Sequence, residues 1–337
     1  MFSECSTLVA HLAAKWVARL PQAGCCCVAL LLWPGPASAL MAGSSAGTNP
    51  DSPAARVDAN VAGSPFAGVA SIVVNGGAYS GVVIAPQYVL TAGHVAAAGP
   101  AEAMQVVLNV GGTQWTSAVL SSTTYSTYSF PYDDLAVLQL ATSVPVGVPV
   151  YPMFAGTAAT GLTLVLAGYG ASGYGDVGVS VGPDSSVRRT GQNTLDALAT
   201  RIDTQTLESR FFLYDFDGRT GRGPLGAATL GNTVETLVAY GDSGGPAFVR
   251  VNGALQVFGI NTFATPLSGA TAVTYTFGSE GGGIVASDAR FTAWLHAATH
   301  DTMADANAAT SDGPLPPWSA LVLGAGLFGM VMLRARG

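Results

Sequence analysis

The sequence predicts an all-β protein, and three observations support that fold class. Glycine is abundant, at 43 of 337 residues, and only 10% of residues are charged; this composition favours short strands joined by turns. Apolar runs of strand length recur along the chain, most of them bounded by Gly, Pro, Asn or Ser. No helical pattern of similar strength separates them, so we expect a closed or sandwiched antiparallel arrangement rather than a parallel sheet.

The elements follow from these runs. The expected strands cover residues 71–74, 81–90, 105–110, 135–140, 162–167, 211–214, 247–251, 254–260 and 284–286. One helix closes the domain, because Asp288 can cap it and Phe291, Trp294 and Leu295 fall on one helical face. The stretches 168–182 and 183–231 are expected to be loops with one embedded strand, suited to shaping a cleft.

Residues 1–39 have the pattern of an export signal. Basic residues precede an apolar run at 25–33, and Ala37-Ser38-Ala39 follows as an A-x-A cleavage site. All four cysteines lie inside this segment, so cleavage after Ala39 would leave a protein without disulfides. Lipid attachment at Cys25 is the alternative, but the apolar run follows this cysteine rather than preceding it. Residues 40–61 are expected to be a flexible N-terminal or pro segment.

The C-terminal end carries a second targeting pattern. A polar linker, 301–317, leads into apolar residues 318–333 and two arginines within 334–337. The apolar stretch is slightly shorter than the roughly 20 residues of a spanning helix, and the arginines would keep its end in the cytoplasm. The whole tail, Pro314-Leu-Pro-Pro-Trp with the apolar run and the arginines, resembles sorting signals of the PEP-CTERM type, although its short motif departs from the Pro-Glu-Pro form. The resemblance implies membrane contact and a sorting enzyme of exosortase type. A permanent single-span anchor is the alternative, and a secreted or cell-envelope location is expected in either case.

Composition also argues against some partners. The net charge of −7 gives no basic face on which nucleic acid could release counterions, so no nucleic-acid partner is expected. No cofactor is indicated. His296 and His300 are four residues apart on the predicted helix, but no Glu follows His296 as a zinc-peptidase motif requires, so we interpret them as part of a solvated face and predict no metal site.

The strongest chemical signal is Gly241-Asp242-Ser243-Gly244-Gly245-Pro246, which lies between a loop and an apolar strand. A serine hydroxyl is a weak nucleophile unless a base lies beside it and donors receive the developing oxyanion. The glycines let the backbone turn its amides toward that oxyanion. We therefore predict Ser243 as a nucleophile and the amides of Gly241 and Ser243 as an oxyanion hole.

The base and its orienting acid follow from the remaining residues. His94 closes the segment 88–94, where an apolar strand delivers the imidazole at its end. Asp134 opens the apolar stretch 134–138, which would draw its carboxylate inward to orient the histidine. The neighbouring Asp133 is expected to remain in solvent.

Three sequence blocks resemble the signatures of the chymotrypsin/trypsin family: Thr91-Ala-Gly-His94, Asp134-Leu-Ala-Val and the Ser243 motif, in the family's order. The resemblance implies a peptidase domain over 62–300, with two antiparallel six-stranded β-barrels and a C-terminal helix. It also implies a triad of His94, Asp134 and Ser243 that hydrolyses protein or peptide substrates through an acyl-enzyme. Two features depart from the pattern: the family's usual cysteines are absent, and Gly93 stands where Ala is commoner.

The resemblance also locates a specificity pocket. Counting back from Ser243 places Leu237 at its base, with Thr262, Phe263 and Ala264 as its walls and Gly283 opposite. Without an acid at the base, Lys or Arg would lose its hydration and gain no carboxylate partner. We therefore expect an uncharged, apolar residue before the scissile bond.

In activated family members the acid beside the nucleophile pairs with a freshly cut N-terminus, which implies a structural role for Asp242. Arg56-Val57 is the only nearby candidate cut, although it lacks the Ile-Val-Gly-Gly sequence that usually follows. An active enzyme that begins at Leu40 would exclude this cut.

Two other functions fit part of the pattern. Gly241-x-Ser243-x-Gly245 is formally the nucleophile elbow of α/β-hydrolase esterases, with Asp288 and His296 downstream. An elbow needs a helix directly after the serine, however, and here a strand follows. The non-enzyme alternative is a catalytically silent, protease-like surface binding module, against which the intact triad argues.

Overall fold

The computed structural model describes residues 39–202, 208–218, 225–226, 229–266, 274–304 and 306. The predicted export signal up to residue 38 and the apolar tail 318–337 lie outside these ranges. Within them, no helix combines the length and the hydropathy needed to cross a membrane.

Strands dominate the described part of the chain. In order, its elements are β1 (Val69–Val74), β2 (Gly77–Ala85), β3 (Tyr88–Thr91), α1 (Gly93–Ala96), β4 (Met104–Val110), β5 (Thr113–Thr124), β6 (Ala136–Leu140), β7 (Thr163–Gly168), β8 (Ser172–Tyr174), β9 (Gly178–Val181), β10 (Arg189–Thr194), β11 (Ala197–Ile202), β12 (Glu208–Asp215), β13 (Pro246–Val251), β14 (Ala254–Pro266), β15 (Ser279–Ile284) and α2 (Ala289–Ala298). Short 3-10 turns lie at Pro53–Arg56 and Ala101–Ala103.

The first six strands close into an antiparallel barrel in the order β1-β2-β3-β6-β5-β4. Asn75-Gly76 joins β1 to β2 as a two-residue turn, with φ of +49° and +79°. Asn-Gly favours this turn because it accommodates positive φ at both central positions. Branched apolar side chains such as Ile72 and Val82 are fully buried in the barrel, which gives the site a rigid support.

The later strands form a second sheet, which is antiparallel and has seven strands in the order β10-β7-β13-β14-β15-β12-β11. Strands β8 and β9 form a separate hairpin. The core of the second sheet includes Phe212 and Phe258, whose rings meet edge to face at 5.7 Å. The expected all-β class, the double-barrel arrangement of a closed six-stranded barrel and a second antiparallel sheet, and the closing helix are confirmed; the second sheet has seven strands.

Several strands differ from the sequence expectation. Residues 81–90 form two strands rather than one, because the chain turns at Pro86-Gln87, where proline offers no amide to a ladder. The segment 183–231, expected to hold one strand, holds β10, β11 and β12. Strand β10 reads Arg-Thr-Gly-Gln-Asn-Thr and β5 is rich in Thr and Ser, so neither shows the apolar run by which strands were recognised.

The closing helix α2 follows its prediction. The carboxylate of Asp288 accepts the amide of Arg290 at 3.2 Å and caps the helix. Phe291 and Leu295 are buried, and the ring of Tyr125 packs edge-on against Phe291 at 4.9 Å and Trp294 at 5.2 Å. The helix therefore packs against the loop that follows β5.

The segment 40–61, predicted to be a flexible N-terminal or pro segment, begins with packed residues. Leu40, Met41 and Ala42 are fully buried, and the amide of Met41 donates to the carbonyl of Leu237 at 2.8 Å. Main-chain hydrogen bonds and apolar burial thus place the start of the segment against the second sheet.

Candidate active site

His94 and Asp134 are brought together by the pairing of β3 with β6. Thr91, the last residue of β3, pairs with Ala136, the first residue of β6, so the segments beside these ends lie next to each other. His94 lies on the one-turn helix α1 rather than at the strand end itself. The sequence analysis missed this turn because four residues are too few to produce a helical pattern.

The Asp134 carboxylate holds His94 at two points. Its Oδ2 lies 2.7 Å from the Nδ1 of the imidazole, and its Oδ1 accepts the backbone amide of the same residue at 2.8 Å. Asp134 is fully buried, while the His94 side chain is 24% exposed. With Nδ1 donating to this carboxylate, the Nε2 lone pair is left to accept a proton.

Asp133 does not remain in solvent, contrary to expectation. It is 1% exposed, and its Oδ2 accepts from Arg290 of helix α2 at 2.8 Å and from Thr127 at 2.5 Å. Its φ is +49°, in the left-handed region that non-glycine residues rarely enter. Asp133 thus ties the loop that carries Asp134 to the closing helix.

Ser243 lies on the turn before β13, against the His94 segment. Its carbonyl accepts the amide of Ser80 at 2.9 Å. At the next residue, Gly244, a Cβ would lie 2.0 Å from Thr91 Oγ1 and 3.1 Å from the nitrogen of Ala92, so the two segments touch. Among the described residues no hydrogen bond joins Ser243 Oγ to His94; in serine enzymes without substrate this bond is often long and shortens on binding.

Ser80 organises this junction and was missed from sequence. Its hydroxyl donates to the carbonyl of Gly241 at 3.0 Å and accepts the amide of Tyr169 at 2.9 Å, while its carbonyl accepts from Thr91 Oγ1 at 2.8 Å. One residue of the first barrel therefore fixes both the nucleophile turn and the segment before His94. No sequence signal marks it, because its partners lie far away along the chain.

The amides of Gly241 and Ser243 are held in a fixed direction. In a trans peptide the C=O and N–H groups point in opposite directions. The carbonyl before Gly241 accepts from Ala171 at 2.8 Å, and the carbonyl before Ser243 accepts from Gly245 at 2.9 Å. Within the described residues neither amide donates to a protein acceptor, so both can receive an oxyanion.

The family model described as Trypsin matches residues 59–277 of the chain. The chain belongs to the trypsin family. Members of the family are serine-type endopeptidases, and this protein is a hydrolase of that class. No curated protein matches the chain significantly.

A cavity of about 290 Å³ opens beside Ser243. Of the described residues, those lining it are Tyr79, Phe130, Val238, Ala239, Tyr240, Gly241, Ser243, Asn261, Thr262, Phe263, Ala264 and Tyr275. None of these side chains is charged. The ring of Phe130 also packs edge-on against His94 at 5.4 Å, which links the cavity to the histidine.

The predicted pocket residues divide into two groups. Thr262, Phe263 and Ala264 line the cavity, whereas Leu237 and Gly283 are not among its lining residues. Leu237 is fully buried in the core of the second sheet. At Gly283 a Cβ would lie 1.9 Å from the carbonyl oxygen of Ile260, so this residue packs against β14 instead. Counting along the chain could not show which residues of a turn face the cavity.

The structure gives a local reason for Gly93, which stands where alanine is commoner in the trypsin family. A Cβ at this position would lie 2.8 Å from the ring of Tyr128 and 3.1 Å from Asp134 Oδ1. The ring thus occupies the space that an alanine methyl would need. Burial and the nearby Asp134 charge raise the pKa of Tyr128, so the ring contributes a neutral wall beside the acid.

Potential metal ligands cluster elsewhere in the described chain. Carboxylate oxygens of Asp215, Asp217 and Glu235 lie within 4.8 Å of one another. Protein donors engage them: the amide of Leu225 donates to Asp215 at 2.6 Å and that of Asp217 to Glu235 at 3.0 Å. Burial raises the pKa of Glu235. None of the triad residues belongs to this cluster.

Proposed function

We propose that this trypsin-family protein is an exported endopeptidase whose triad is His94, Asp134 and Ser243, and which cleaves after uncharged residues. The observation that carries the proposal is the buried Asp134 carboxylate, whose oxygen lies 2.7 Å from His94 Nδ1. The nucleophile turn supports it, because the amides of Gly241 and Ser243 donate to no acceptor in the described part of the protein.

The reaction follows from these groups. His94 Nε2 takes the proton of Ser243 as its Oγ attacks the peptide carbonyl, and then gives that proton to the departing amine. Asp134 stabilises the imidazolium that forms between these steps. The Gly241 and Ser243 amides receive negative charge that appears only in the tetrahedral state, so they favour the transition state over the substrate. Water then attacks the acyl-enzyme, with His94 again acting as the base, and releases the acyl group from Ser243.

Export and envelope location are part of the proposal. They rest on the A-x-A motif that ends at Ala39 and on the apolar tail 318–337, both read from sequence. The tail would bring the enzyme into contact with a membrane, where an exosortase-type enzyme would process it.

Covalent labelling with a fluorophosphonate tests this function. The wild type should label, Ser243→Ala should not label at all, and His94→Ala should label at least about 1,000-fold more slowly because the nucleophile loses its base. Labelling of separate medium and envelope fractions of expressing cells reports the location at the same time.

Two controls sharpen the labelling experiment. Ser186 is an exposed serine, and Ser186→Ala should label like the wild type. His296→Ala should also label normally, whereas the esterase alternative requires that residue. A wild-type protein that folds but does not label would favour the silent binding module.

Substrate preference has its own test. The cavity beside Ser243 presents uncharged side chains, including Val238, Phe263 and Ala264, so a Lys or Arg side chain would be desolvated without a partner. In a peptide library we expect kcat/KM for uncharged residues before the scissile bond to exceed that for Lys or Arg by roughly 100-fold. Efficient cleavage only after Arg or Lys would contradict the preference.

A further inference from the structure

Ser80 is a fully buried residue of strand β2, and its contacts leave the hydroxyl a single orientation. The amide of Tyr169 donates to the hydroxyl oxygen at 2.9 Å. Because an amide N–H cannot accept, the one hydroxyl proton is left for the carbonyl of Gly241, 3.0 Å away. The hydroxyl is therefore a bridge of fixed direction between the first barrel and the turn that carries Ser243.

The carbonyl that accepts from Ser80 belongs to a residue whose amide is part of the predicted oxyanion hole. In Gly241 this amide and this carbonyl share one Cα, so the φ and ψ of a single glycine set the direction of the amide. The φ of Gly241 is +92°, and a residue without a Cβ can leave such a conformation at little cost. The direction of the amide therefore depends on what holds the two flanking carbonyls.

The two carbonyls that flank the Gly241 Cα are held in different ways. The carbonyl of Tyr240 accepts the amide of Ala171 at 2.8 Å, a main-chain bond that no side-chain replacement removes. The carbonyl of Gly241 accepts from Ser80 Oγ at 3.0 Å. Ser80 thus supplies this second peptide plane with a side-chain hydrogen bond, which a substitution can remove.

The backbone of Ser80 is held independently of its hydroxyl. Its amide donates to the carbonyl of Ser243 at 2.9 Å, and its own carbonyl accepts from Thr91 Oγ1 at 2.8 Å. In the barrel ladder it pairs with Ser71 of β1. Removal of the hydroxyl alone leaves these contacts in place, so its effect on the turn can be separated from a loss of the junction.

Tyr169, which donates to the hydroxyl of Ser80, is itself anchored. Its side chain is fully buried. The phenol group donates to the carbonyl of Val69 at 3.2 Å and accepts from the side chains of Asn109 and Arg188, each at 3.1 Å. The hydroxyl of Ser80 therefore rests on a fixed point and holds the nucleophile turn, rather than following it.

We propose that Ser80 is a positioning residue for the proposed peptidase reaction, and that its hydroxyl fixes the direction of the Gly241 amide in the oxyanion hole. Ser80 is not among the described residues that line the cavity, so it acts through the Gly241 carbonyl. Without the hydroxyl, that carbonyl becomes a buried acceptor that lacks its partner, and the turn relaxes to find another. The amide then points away from the developing negative charge, so the transition state loses stabilisation that the bound substrate never had.

Ser80→Ala in the full chain tests this positioning role. With an uncharged peptide substrate we expect kcat to fall roughly 10- to 100-fold, less than the loss of a whole oxyanion donor, and KM to change by less than about 3-fold. Ser80→Cys keeps nearly the same size and a weaker donor, so it should recover part of the lost kcat. Circular dichroism and thermal unfolding should show both variants to be folded at the assay temperature.

Ser71→Ala is the matched control. Ser71 is equally buried and lies directly opposite Ser80 in the β1–β2 ladder, and within the described ranges its hydroxyl has no hydrogen-bond partner. Its removal should leave kcat within about 2-fold of the wild type. An equal loss in the two variants would show that any buried hydroxyl of these strands has the same effect, and would overturn the specific role of Ser80.

A pair of inhibitors separates positioning from general damage to the site. A peptide aldehyde adds reversibly to Ser243: the serine oxygen bonds to the aldehyde carbon, the hydroxyl proton passes to His94, and the former carbonyl oxygen takes the place of the oxyanion. The peptide alcohol of the same sequence has no carbonyl and reports ground-state binding alone. In Ser80→Ala the dissociation constant of the aldehyde should rise by the factor by which kcat/KM falls, while that of the alcohol should change by less than about 3-fold.

The possible outcomes are distinct. A Ser80→Ala variant that keeps kcat within about 2-fold of the wild type, or that loses affinity for the aldehyde and the alcohol equally, would overturn the positioning role and leave the peptidase function intact. If the wild type neither cleaves the peptide nor binds the aldehyde more tightly than the alcohol, the peptidase function itself fails.

Discussion

Replacing Asp134 with asparagine is expected to lower kcat by roughly 10,000-fold while the protein remains folded. The carboxylate accepts from His94 Nδ1 at 2.7 Å and from the same residue's amide at 2.8 Å. An asparagine keeps one oxygen for the amide but presents an NH₂ group to Nδ1. The imidazole must then carry its proton on Nε2, where it cannot take one from Ser243. Steady-state kinetics with an uncharged peptide substrate measures the loss.

Asp133→Asn is the matched control. This neighbouring acid is equally buried but pairs with Arg290 rather than with His94. Its replacement should lower the melting temperature, because a buried charged partner is left behind, and should change kcat by less than about 10-fold. Similar losses of kcat in the two variants would contradict the assignment of Asp134 as the orienting acid.

Gly244→Ala is expected to destabilise the protein by about 4 kcal/mol or more, or to prevent folding. Its φ is +83°, and a Cβ would lie 2.0 Å from Thr91 Oγ1 and 2.2 Å from the carbonyl oxygen of Ser80. Those two atoms are hydrogen-bonded to each other at 2.8 Å, so neither can move without breaking the junction between the barrel and the nucleophile turn.

Gly253→Ala separates the cost of the left-handed backbone from the cost of the steric contact. It has nearly the same φ, +86°, but nothing lies within 4 Å of its Cβ position. The left-handed backbone alone should cost about 1 kcal/mol there. Urea unfolding of both variants gives the difference, which reports the contact at Gly244. Equal destabilisation would show that the two segments are not packed together as described.

Short dipeptide motifs in the sequence predict hairpin turns that the search for apolar strands did not use. Asn75-Gly76, Gly111-Gly112 and Asn252-Gly253 each close a two-residue hairpin with positive φ at both positions. Such turns depend only on the two residues within them, so this signal was available. The polar strand β10 could not be predicted from its own sequence, because it forms a strand only by pairing with β7.

The sequence alone determined the all-β class and the capped closing helix, and it predicted His94, Asp134 and Ser243 as a triad, because each of these depends on a contiguous pattern of a few residues. Only the tertiary structure decided that Ser80 joins the two halves of the site, that Asp133 is buried, and that Leu40 rather than Val57 reaches Asp242. These contacts join residues as far as 202 positions apart, and no local propensity encodes such a distance. Burial and the need to pair a buried carboxylate decided them instead.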